Sequence, residues 1–218
     1  MTKIKICGIT NKTDTINASK LDVDMLGFVF YKKSKRYVEP KVVRDIVNEL
    51  PPFIAKVGVF VDEDKNEVSE IAQECSLDML QFHGDETPGY CDNFSATKIG
   101  GSAFGGKDFY KIIKAFRIKD KNSLKGINDY NVDFYMLDAY SAGSAGGTGK
   151  KFDWKIISGF EFLKPVILSG GLTPANVKQA IDKVSPYGVD VSSGIEKSPG
   201  KKDLNLMKKF VEKVRKIQ

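Results

Sequence analysis

Residues 165–194 read PVILSGGLTPANVKQAIDKVSPYGVDVSSG, and this stretch contains one complete unit of the predicted fold. Two short apolar runs, Pro165–Leu168 and Gly188–Val191, flank an amphipathic helical pattern over Ala175–Val184. The proline after Thr173 suits the first turn of that helix, where its missing N–H would have no partner in any case. Apart from Asp190 both runs are apolar, as parallel strands buried on two faces must be. The stretch therefore predicts a strand–helix–strand unit of a parallel sheet.

The same alternation of apolar runs and helical patterns extends along the chain. The other predicted strands are Ile4–Cys7, Met25–Phe30, Ile54–Val61, Met79–Phe82, Ile112–Ile118 and Phe134–Leu137. The other helical patterns are Thr13–Leu21, Lys41–Leu50, Asn66–Cys75, Asp153–Gly159 and Asp203–Ile217. Strands and helices in this order favour an α/β fold, a closed (β/α)8 TIM barrel forming a single domain over residues 1–218. An open doubly wound sheet is the structural alternative.

The composition is that of an ordinary globular protein. A length of 218 residues suits one barrel domain, and the hydrophobic (41%) and charged (28%) fractions are those of a protein with an apolar core. The cysteines at positions 7, 75 and 91 have neither metal-ligand spacing nor a disulfide pattern. The N-terminal sequence MTKIKICGIT lacks the apolar core of a signal peptide, and no apolar run is long enough to cross a bilayer. We therefore expect a cytoplasmic protein with no membrane partner.

The net charge of +6 raises the question of nucleic-acid binding. The basic residues are scattered and mixed with acidic ones, and they form no basic stripe interleaved with aromatic residues. We therefore expect no nucleic-acid partner and interpret the lysines as a solvated surface. A mildly positive field also suits an anionic substrate, because it steers the substrate inward.

Two glycine-rich stretches do not fit the strand–helix alternation. Gly143–Lys150 (GSAGGTGK) resembles a nucleotide-binding P-loop but fails on spacing, because Ser144 occupies the place of the first glycine and Lys151 that of the final Ser or Thr. It is either a loop that closes over substrate or a solvent-exposed connection. Ser95–Lys111 is interpreted as a mobile loop or local insertion on the face opposite the active site.

Chemically active side chains stand at the ends of several predicted strands. In a barrel, the carboxyl ends of the strands and the loops after them form the reaction face. Cys7 ends the first strand, His83 follows the fourth and Asp138 follows the sixth. Arg36 lies in a basic loop after the second strand. Their recurrence at equivalent positions indicates a functional site more strongly than any one of them does.

Each of these residues also has a structural interpretation that the sequence leaves open. Cysteine is most often a small buried hydrophobic residue, although Gly8 after it would let a ligand approach. Asp138 could cap the following loop, but a carboxylate beside a buried strand is costly without a partner or a role. His83, the single histidine, could be a structural hydrogen-bonding residue. Arg36 could be surface charge or could hold a carboxylate through two parallel hydrogen bonds.

Two loops near the C-terminus predict a phosphate site. Glycine lets backbone N–H groups reach a ligand, and a helix N-terminus favours an anion. The loops after strands seven and eight form the recurrent phosphate site of barrel enzymes. The candidate residues, which predict a phosphorylated small molecule as ligand, are Gly170, Gly171, Ser192, Ser193 and Gly194.

Several short segments, taken in order from residue 3 to residue 210, resemble the phosphoribosylanthranilate isomerase family. They are Lys5–Thr10 (KICGIT); Gly27–Phe30 with Ser34 and Arg36; Leu80–Gly84 (LQFHG); Lys114–Arg117 (KAFR); Leu137–Asp138 with Gly146–Gly149 and Phe152–Trp154; Ser169–Leu172 with Pro174 and Asn176–Val177; and Gly188–Glu196 with Gly200 and Lys202–Asp203. Each segment is weak alone, but together they are specific. Ser95–Lys111 departs from this pattern, being longer than the family leads us to expect.

The resemblance implies an Amadori rearrangement in tryptophan biosynthesis, from N-(5'-phosphoribosyl)anthranilate to 1-(o-carboxyphenylamino)-1-deoxyribulose 5-phosphate. It implies no metal and no organic cofactor. By position, Cys7 is the general base and Asp138 the general acid, so that a thiolate and a protonated carboxyl are needed. Arg36 binds the anthranilate carboxylate, the loops after strands seven and eight bind phosphate, and His83 and Asp190 line the pocket.

Three other functions stay open from the residues alone. Another phosphosugar barrel, such as an aldose–ketose isomerase or an epimerase, would not require a cysteine after the first strand. A phosphometabolite-binding barrel without catalysis would bind the same ligands without turning them over. A nucleic-acid-binding module would show salt-dependent duplex binding. The oligomeric state is either a monomer or a homodimer.

Overall fold

The computed structural model describes residues 1–94, 110–139 and 153–216, which contain a closed eight-stranded barrel. Every neighbouring pair of strands is parallel, and β1 pairs with β8 to close the sheet. The barrel confirms the predicted (β/α)8 class and excludes the open doubly wound sheet. The strands are β1 Lys3–Cys7, β2 Met25–Val29, β3 Ala55–Phe60, β4 Met79–Phe82, β5 Lys111–Ile118, β6 Phe134–Ala139, β7 Val166–Leu168 and β8 Gly188–Val191.

Most of the predicted helical patterns form α-helices. Several begin at a side-chain cap, as where Asp203 accepts hydrogen bonds from Asn205 N and Leu206 N. No helix among the described residues is long and apolar enough to span a membrane. The α-helices in the described residues are α1 Lys12–Ser19, α2 Pro40–Val47, α3 Lys65–Glu74, α4 Pro88–Cys91, α5 Val177–Val184 and α6 Leu204–Arg215.

The connections on either side of β6 depart from the regular pattern. The α-helix predicted over Asp153–Gly159 was wrong: the chain forms one 3-10 turn, Trp154–Ile157, because Ser158 is extended and Gly159 has a φ of 75°. Between β5 and β6 the chain makes two more 3-10 turns, Lys121–Leu124 and Ile127–Asp129. The barrel is thus covered more thinly here than by full helices.

The two glycine-rich stretches lie almost wholly outside the described residues. Gly143–Lys150 falls in the gap at 140–152, and all but the last two residues of Ser95–Lys111 fall in the gap at 95–109. Of those two, Tyr110 is half-buried and Lys111 begins β5. The predicted roles of both stretches remain predictions.

The inside of the barrel changes from apolar to polar along its axis. One end is filled by seven buried side chains from successive strands, namely Met25, Val57, Met79, Ile113, Ala115, Met136 and Ile167. Because side chains alternate between the two faces of a strand, residues two positions further along face inward as well. Those positions hold Gln81 on β4, Asp138 on β6 and Ser169 after β7, all less than 8% exposed. The polar end coincides with the carboxyl ends of the strands.

A buried ion pair braces the loops after β3 and β4. The Glu86 carboxylate accepts a hydrogen bond from Lys114 Nζ at 2.9 Å, and the two side chains are 1% and 3% exposed. The same carboxylate accepts the backbone N–H groups of Asp62 and Gly84, each at 2.9 Å. One side chain therefore neutralises the buried ammonium and fixes two loops on the reaction face.

Replacing Glu86 by alanine should lower the free energy of unfolding by about 3–5 kcal/mol, because it leaves the Lys114 ammonium buried without a counter-charge. Urea denaturation measures this loss. The matched control is Glu212→Ala, which breaks an exposed pair with Lys216 (3.9 Å) and should cost less than about 1 kcal/mol. Equal losses for the two variants would contradict the bracing role.

Candidate active site

Cys7 ends β1 inside the mouth of the barrel and is 8% exposed. Gly27 on the neighbouring strand makes room for it, because a Cβ at Gly27 would lie 2.8 Å from Cys7 Sγ and 3.0 Å from Lys5 Nζ. Burial raises the pKa of the Cys7 thiol; Lys5 and Lys202 act in the opposite direction. The burial effect is the largest of these, so the neutral thiol is favoured over the thiolate that a general base requires.

Asp190 on β8 ties the Cys7 strand to its neighbours. Its Oδ1 accepts a hydrogen bond from Lys5 Nζ at 2.8 Å, and its Oδ2 accepts one from Ser169 Oγ at 2.9 Å. Burial lowers the pKa of Lys5, but its interactions with Asp190 and with Cys7 outweigh burial, and the pKa is raised overall. Asp190 therefore lies in the predicted pocket next to Cys7, with both carboxylate oxygens engaged.

Asp138 and His83 face each other across the mouth. Asp138 ends the inward-facing part of β6 and is 4% exposed. Its Oδ2 lies 3.1 Å from His83 Nε2, while its Oδ1 accepts the N–H of Ala139 at 2.8 Å. Gln81 Nε2 lies 2.8 Å from His83 Nδ1, so the histidine ring has a polar neighbour at both nitrogens. Asp138 thus caps the local backbone and is also bonded to the single histidine.

Gly170 allows the end of β6 to approach the loop after β7. Its φ is 84°, and a Cβ there would lie 2.4 Å from Ala139 N and 2.9 Å from Asp138 Oδ1. A larger residue would have to displace the backbone of β6 as well as adopt a left-handed conformation. This glycine is therefore needed to place Asp138, in addition to its predicted role at the phosphate.

Arg36 projects from the loop after β2 towards the end of β1. A Cβ at Gly8 would lie 2.6 Å from Arg36 Cδ, which places the arginine directly over the glycine after Cys7. Arg36 donates two hydrogen bonds to Glu196, from Nε at 2.8 Å and from Nη2 at 2.7 Å. Hydrogen bonding to Glu196 raises the pKa of Arg36, although burial acts against it. Glu196 thus engages Nε and Nη2 of the guanidinium and does not engage Nη1.

Lys202 connects Glu196, the partner of Arg36, to the backbone of β1. It belongs to a two-stranded hairpin, β9 Glu196–Ser198 with β10 Lys201–Lys202, that follows β8. Its Nζ donates to Glu196 Oε1 at 2.8 Å, to Cys7 O at 2.6 Å and to Ser192 O at 3.2 Å. Burial lowers the pKa of Lys202, with Glu196 acting against the shift. The hairpin therefore fixes the end of β1 and the loop after β8 relative to each other.

The loops after β7 and β8 lie against each other. A Cβ at Gly194 would lie 1.9 Å from Leu172 O, so this position admits only glycine. Gly171 has a φ of 63°, and its carbonyl accepts a hydrogen bond from Asn176 Nδ2 at 2.9 Å, just before α5. All five predicted phosphate residues, Gly170, Gly171, Ser192, Ser193 and Gly194, are partly exposed at this end of the barrel.

Comparison with known proteins identifies the group to which this arrangement belongs. The family described as N-(5'-phosphoribosyl)anthranilate (PRA) isomerase matches residues 4–213. The chain belongs to this family.

Proteins of this family resemble the chain in sequence and in fold over its full length. The isomerase is 45% identical to the N-(5'-phosphoribosyl)anthranilate isomerases of Geobacter sp. (strain M21) and of Thermoanaerobacter sp. (strain X514), covering all of each chain. Its fold matches the crystal structure of the enzyme from Thermotoga maritima with a TM-score of 0.87 at 36% identity, covering 99% of this chain and 100% of that one. The predicted family, the barrel and the assignment as an isomerase of tryptophan biosynthesis are thereby confirmed.

The structure groups the predicted residues and adds others that sequence reasoning missed. Cys7 on β1, Arg36 in the loop after β2 and Asp190 on β8 form one group. Asp138 on β6 and His83 just after β4 form a second. The sequence did contain a signal for Lys5 and Gln81. Each is a polar residue inside an apolar run, two positions before a predicted site residue, and this spacing places it on the inner face of the barrel. The residues without an assigned role from sequence are Lys5, Gln81, Ser169, Glu196 and Lys202.

The ion-paired Glu196 should make stability depend on pH. Although burial raises its pKa, hydrogen bonds from Arg36 and the charge of Lys202 lower it further, and the pKa is below the ordinary value overall. A lowered folded-state pKa adds stability that is complete above the unfolded-state value, about 4.3, and is lost as pH falls through the folded value. The stability gap between the wild-type isomerase and Glu196→Gln should therefore narrow in acid.

Urea unfolding over a pH series, from neutral to well below the ordinary glutamate pKa, measures this gap. The matched control is Glu212→Gln on the exposed face of α6, for which the gap should be small at every pH. A Glu196→Gln gap that stays constant or widens in acid would show that the charge of Glu196 does not stabilise the fold.

Proposed function

We propose that this isomerase catalyses the Amadori rearrangement of N-(5'-phosphoribosyl)anthranilate, with Cys7 as general base and Asp138 as general acid. The observation that supports the proposal is the presence of two separate groups at one mouth, a thiol among cations and a carboxyl hydrogen-bonded to histidine. Acid and base on different strands of one pocket are what a reaction with two proton transfers requires.

The chemistry needs one proton given and one proton taken. Protonated Asp138 donates to the ribose ring oxygen, the bond from that oxygen to C1' breaks, and the nitrogen lone pair forms an iminium C=N bond. The cation acidifies the proton on C2'. The Cys7 thiolate removes that proton, and the electron pair of the C–H bond forms the enolamine, which tautomerises to the ketone.

The pKa of Cys7 and the hydrogen bond between His83 and Asp138 fit this order of proton transfers. Burial raises the pKa of Cys7 despite the cations around it, so the thiolate is disfavoured until a further positive charge comes close. The iminium intermediate is such a charge, and it forms after Asp138 has acted. A proton that reaches His83 can pass to Asp138 along the hydrogen bond from Nε2 to Oδ2. The base is therefore needed only when the site has become more cationic.

The anionic ends of the substrate have matching groups at the two sides of the mouth. We assign the anthranilate carboxylate to Arg36, whose Nη1 is not engaged by Glu196. We assign the phosphate to the abutting loops of Gly170–Gly171 and Ser192–Gly194, with His83 and Asp190 lining the space between. A crystal structure of a phosphoribosylanthranilate isomerase that is 35% identical to this chain contains reduced 1-(o-carboxyphenylamino)-1-deoxyribulose 5-phosphate, which supports a phosphorylated small molecule as substrate.

Location and assembly belong to the same proposal. We place the isomerase in the cytoplasm, without a membrane or nucleic-acid partner, as a monomer or a homodimer. The isomerase of Thermotoga maritima is described as dimeric and is 35% identical over 99% of this chain. Sedimentation equilibrium of the purified protein distinguishes the two states.

Turnover of synthetic N-(5'-phosphoribosyl)anthranilate by the purified protein tests the function directly. Complementation of a tryptophan auxotroph lacking this isomerase tests it in a cell. The principal alternative, a phosphometabolite-binding barrel, predicts that the substrate binds and is recovered unchanged. Binding without turnover, in a protein shown to be folded, would overturn the proposal.

Cys7→Ser should reduce kcat by about 10²-fold or more, because a hydroxyl loses its proton only at a much higher pH than a thiol. Steady-state kinetics on the purified variant measure the loss, and urea unfolding checks that stability is retained. The matched control is Cys75→Ser, a buried cysteine after α3 whose Sγ contacts Pro40 O of α2, and it should keep wild-type kcat. Near-normal kcat in Cys7→Ser would mean that Cys7 only packs.

Asp138→Asn and Arg36→Met should fail in different ways. Asparagine cannot transfer the proton, so kcat should fall by about 10²–10⁴-fold with a modest change in KM. Loss of the arginine should mainly raise KM if the carboxylate contact is equally strong in ground and transition states. Steady-state kinetics of both variants measure these changes. The matched control is Arg44→Met, which replaces an exposed arginine on α2 and should leave kcat and KM unchanged. Full kcat in Asp138→Asn would transfer the acid role elsewhere, with Asp190 as the next candidate.

A further inference from the structure

Lys5 is a charged side chain in the barrel interior to which the mechanism above assigns no function. It lies on β1, two residues before Cys7, and none of its surface is exposed. Burying an ammonium group is costly unless an anion and hydrogen bonds compensate it. A methionine or leucine would fill the same space without that cost, so the charge calls for an explanation from its surroundings.

The geometry brings the Lys5 ammonium to the Cys7 thiol. Both side chains project to the inner face of β1, and both reach the backbone of Gly27, where a single added Cβ would contact Cys7 Sγ at 2.8 Å and Lys5 Nζ at 3.0 Å. Asp190 Oδ1 holds the ammonium from the other side at 2.8 Å. Asp190 is itself fixed by Ser169 Oγ at 2.9 Å, so the ammonium has a defined position.

We propose that Lys5 is a positioning residue for Cys7: its buried ammonium, anchored by Asp190 and Ser169, holds the thiol in place and stabilises the thiolate that abstracts the substrate proton. The inference rests on the proposed role of Cys7 as base. Lys5 does not touch the substrate and transfers no proton. It supplies a fixed positive charge that needs no rearrangement when the proton leaves the thiol.

Four charged groups from different elements surround Cys7. Lys5 on β1 and Lys202 on β10 favour the thiolate, and Arg36 from the loop after β2 is a third cation in electrostatic contact. Asp190 on β8 disfavours the thiolate. After burial, Lys5 has the largest effect on the pKa of Cys7, larger than that of Asp190. Changes to the two partners of one ion pair should therefore shift the thiol pKa in opposite directions.

The experiment titrates the Cys7 thiol directly in the full-length protein. The ultraviolet absorbance of the thiolate is followed against pH, and the curve of a matching Cys7→Ser protein is subtracted to remove tyrosines and the other cysteines. The proteins titrated are the wild type, Lys5→Met, Asp190→Asn and the double variant. The double variant removes both charges of the pair, so it avoids leaving one of them buried alone.

We expect the two single variants to shift the pKa of the Cys7 thiol in opposite directions. Lys5→Met should raise the thiol pKa by about one unit or more, and Asp190→Asn should lower it. The double variant should stay above the wild type, because the effect of Lys5 exceeds that of Asp190. The matched control is Lys3→Met on the same strand. Lys3 pairs with Asp24 at 2.7 Å and its side chain is 42% exposed, so the Cys7 thiol of this variant should have the wild-type pKa.

The outcomes separate this inference from the isomerase proposal. If Lys5→Met does not fold, the thiol pKa values of the double variant and of Asp190→Asn still test the role of Lys5. A thiol pKa in the double variant equal to that of the wild type, or a raised thiol pKa in Asp190→Asn, would overturn the role of Lys5. The pH profile of kcat/KM should move with the thiol pKa in each folded variant. If the wild type shows no turnover, the function fails while the titration still reports on Lys5.

Discussion

Charge buried inside the barrel is the constraint on which the rest of the mouth depends. An ammonium at Lys5 needs a carboxylate, Asp190 supplies it, and the second oxygen of that carboxylate then needs a donor, which Ser169 provides. Each requirement fixes a side chain on a different strand, β1, β8 and the end of β7. The polar end of the barrel is therefore rigid before any ligand arrives, which is the condition for electrostatic stabilisation of a transient charge.

The second constraint is space. The mouth contains long side chains from neighbouring strands, and they fit because glycines remove atoms at the points of closest approach. Gly27 admits the side chains of Lys5 and Cys7, Gly170 admits the end of β6, and Gly194 admits the loop after β7. These glycines let charged groups approach each other closely and exclude solvent from between them. Close approach and low exposure together strengthen every electrostatic interaction in the site.

The sequence predicted the architecture because periodicity and strand-end chemistry are local properties. Apolar runs located all eight strands, and the end of each run indicated where Cys7, His83 and Asp138 would stand. The helix over Asp153–Gly159 was mispredicted because a local pattern does not reveal that Ser158 is extended and Gly159 left-handed. The partner of Arg36 was beyond reach for another reason: Glu196 is distant in sequence, and only the closed barrel brings the two together.

The hairpin after β8 ties the last part of the fold to the first. Lys202 Nζ bonds to Cys7 O, and Arg215 near the end of α6 donates to Thr2 O at 2.7 Å and to Asp24 Oδ2 at 3.0 Å. Contacts that span almost the entire chain carry a large loop-closure entropy, so we expect them to form late in folding. During synthesis, a ribosome-bound chain lacking the hairpin cannot hold the end of β1 in its final geometry. The enzyme should therefore become competent only after its C-terminal helix has left the exit tunnel, so that no shorter nascent form handles a reactive sugar phosphate.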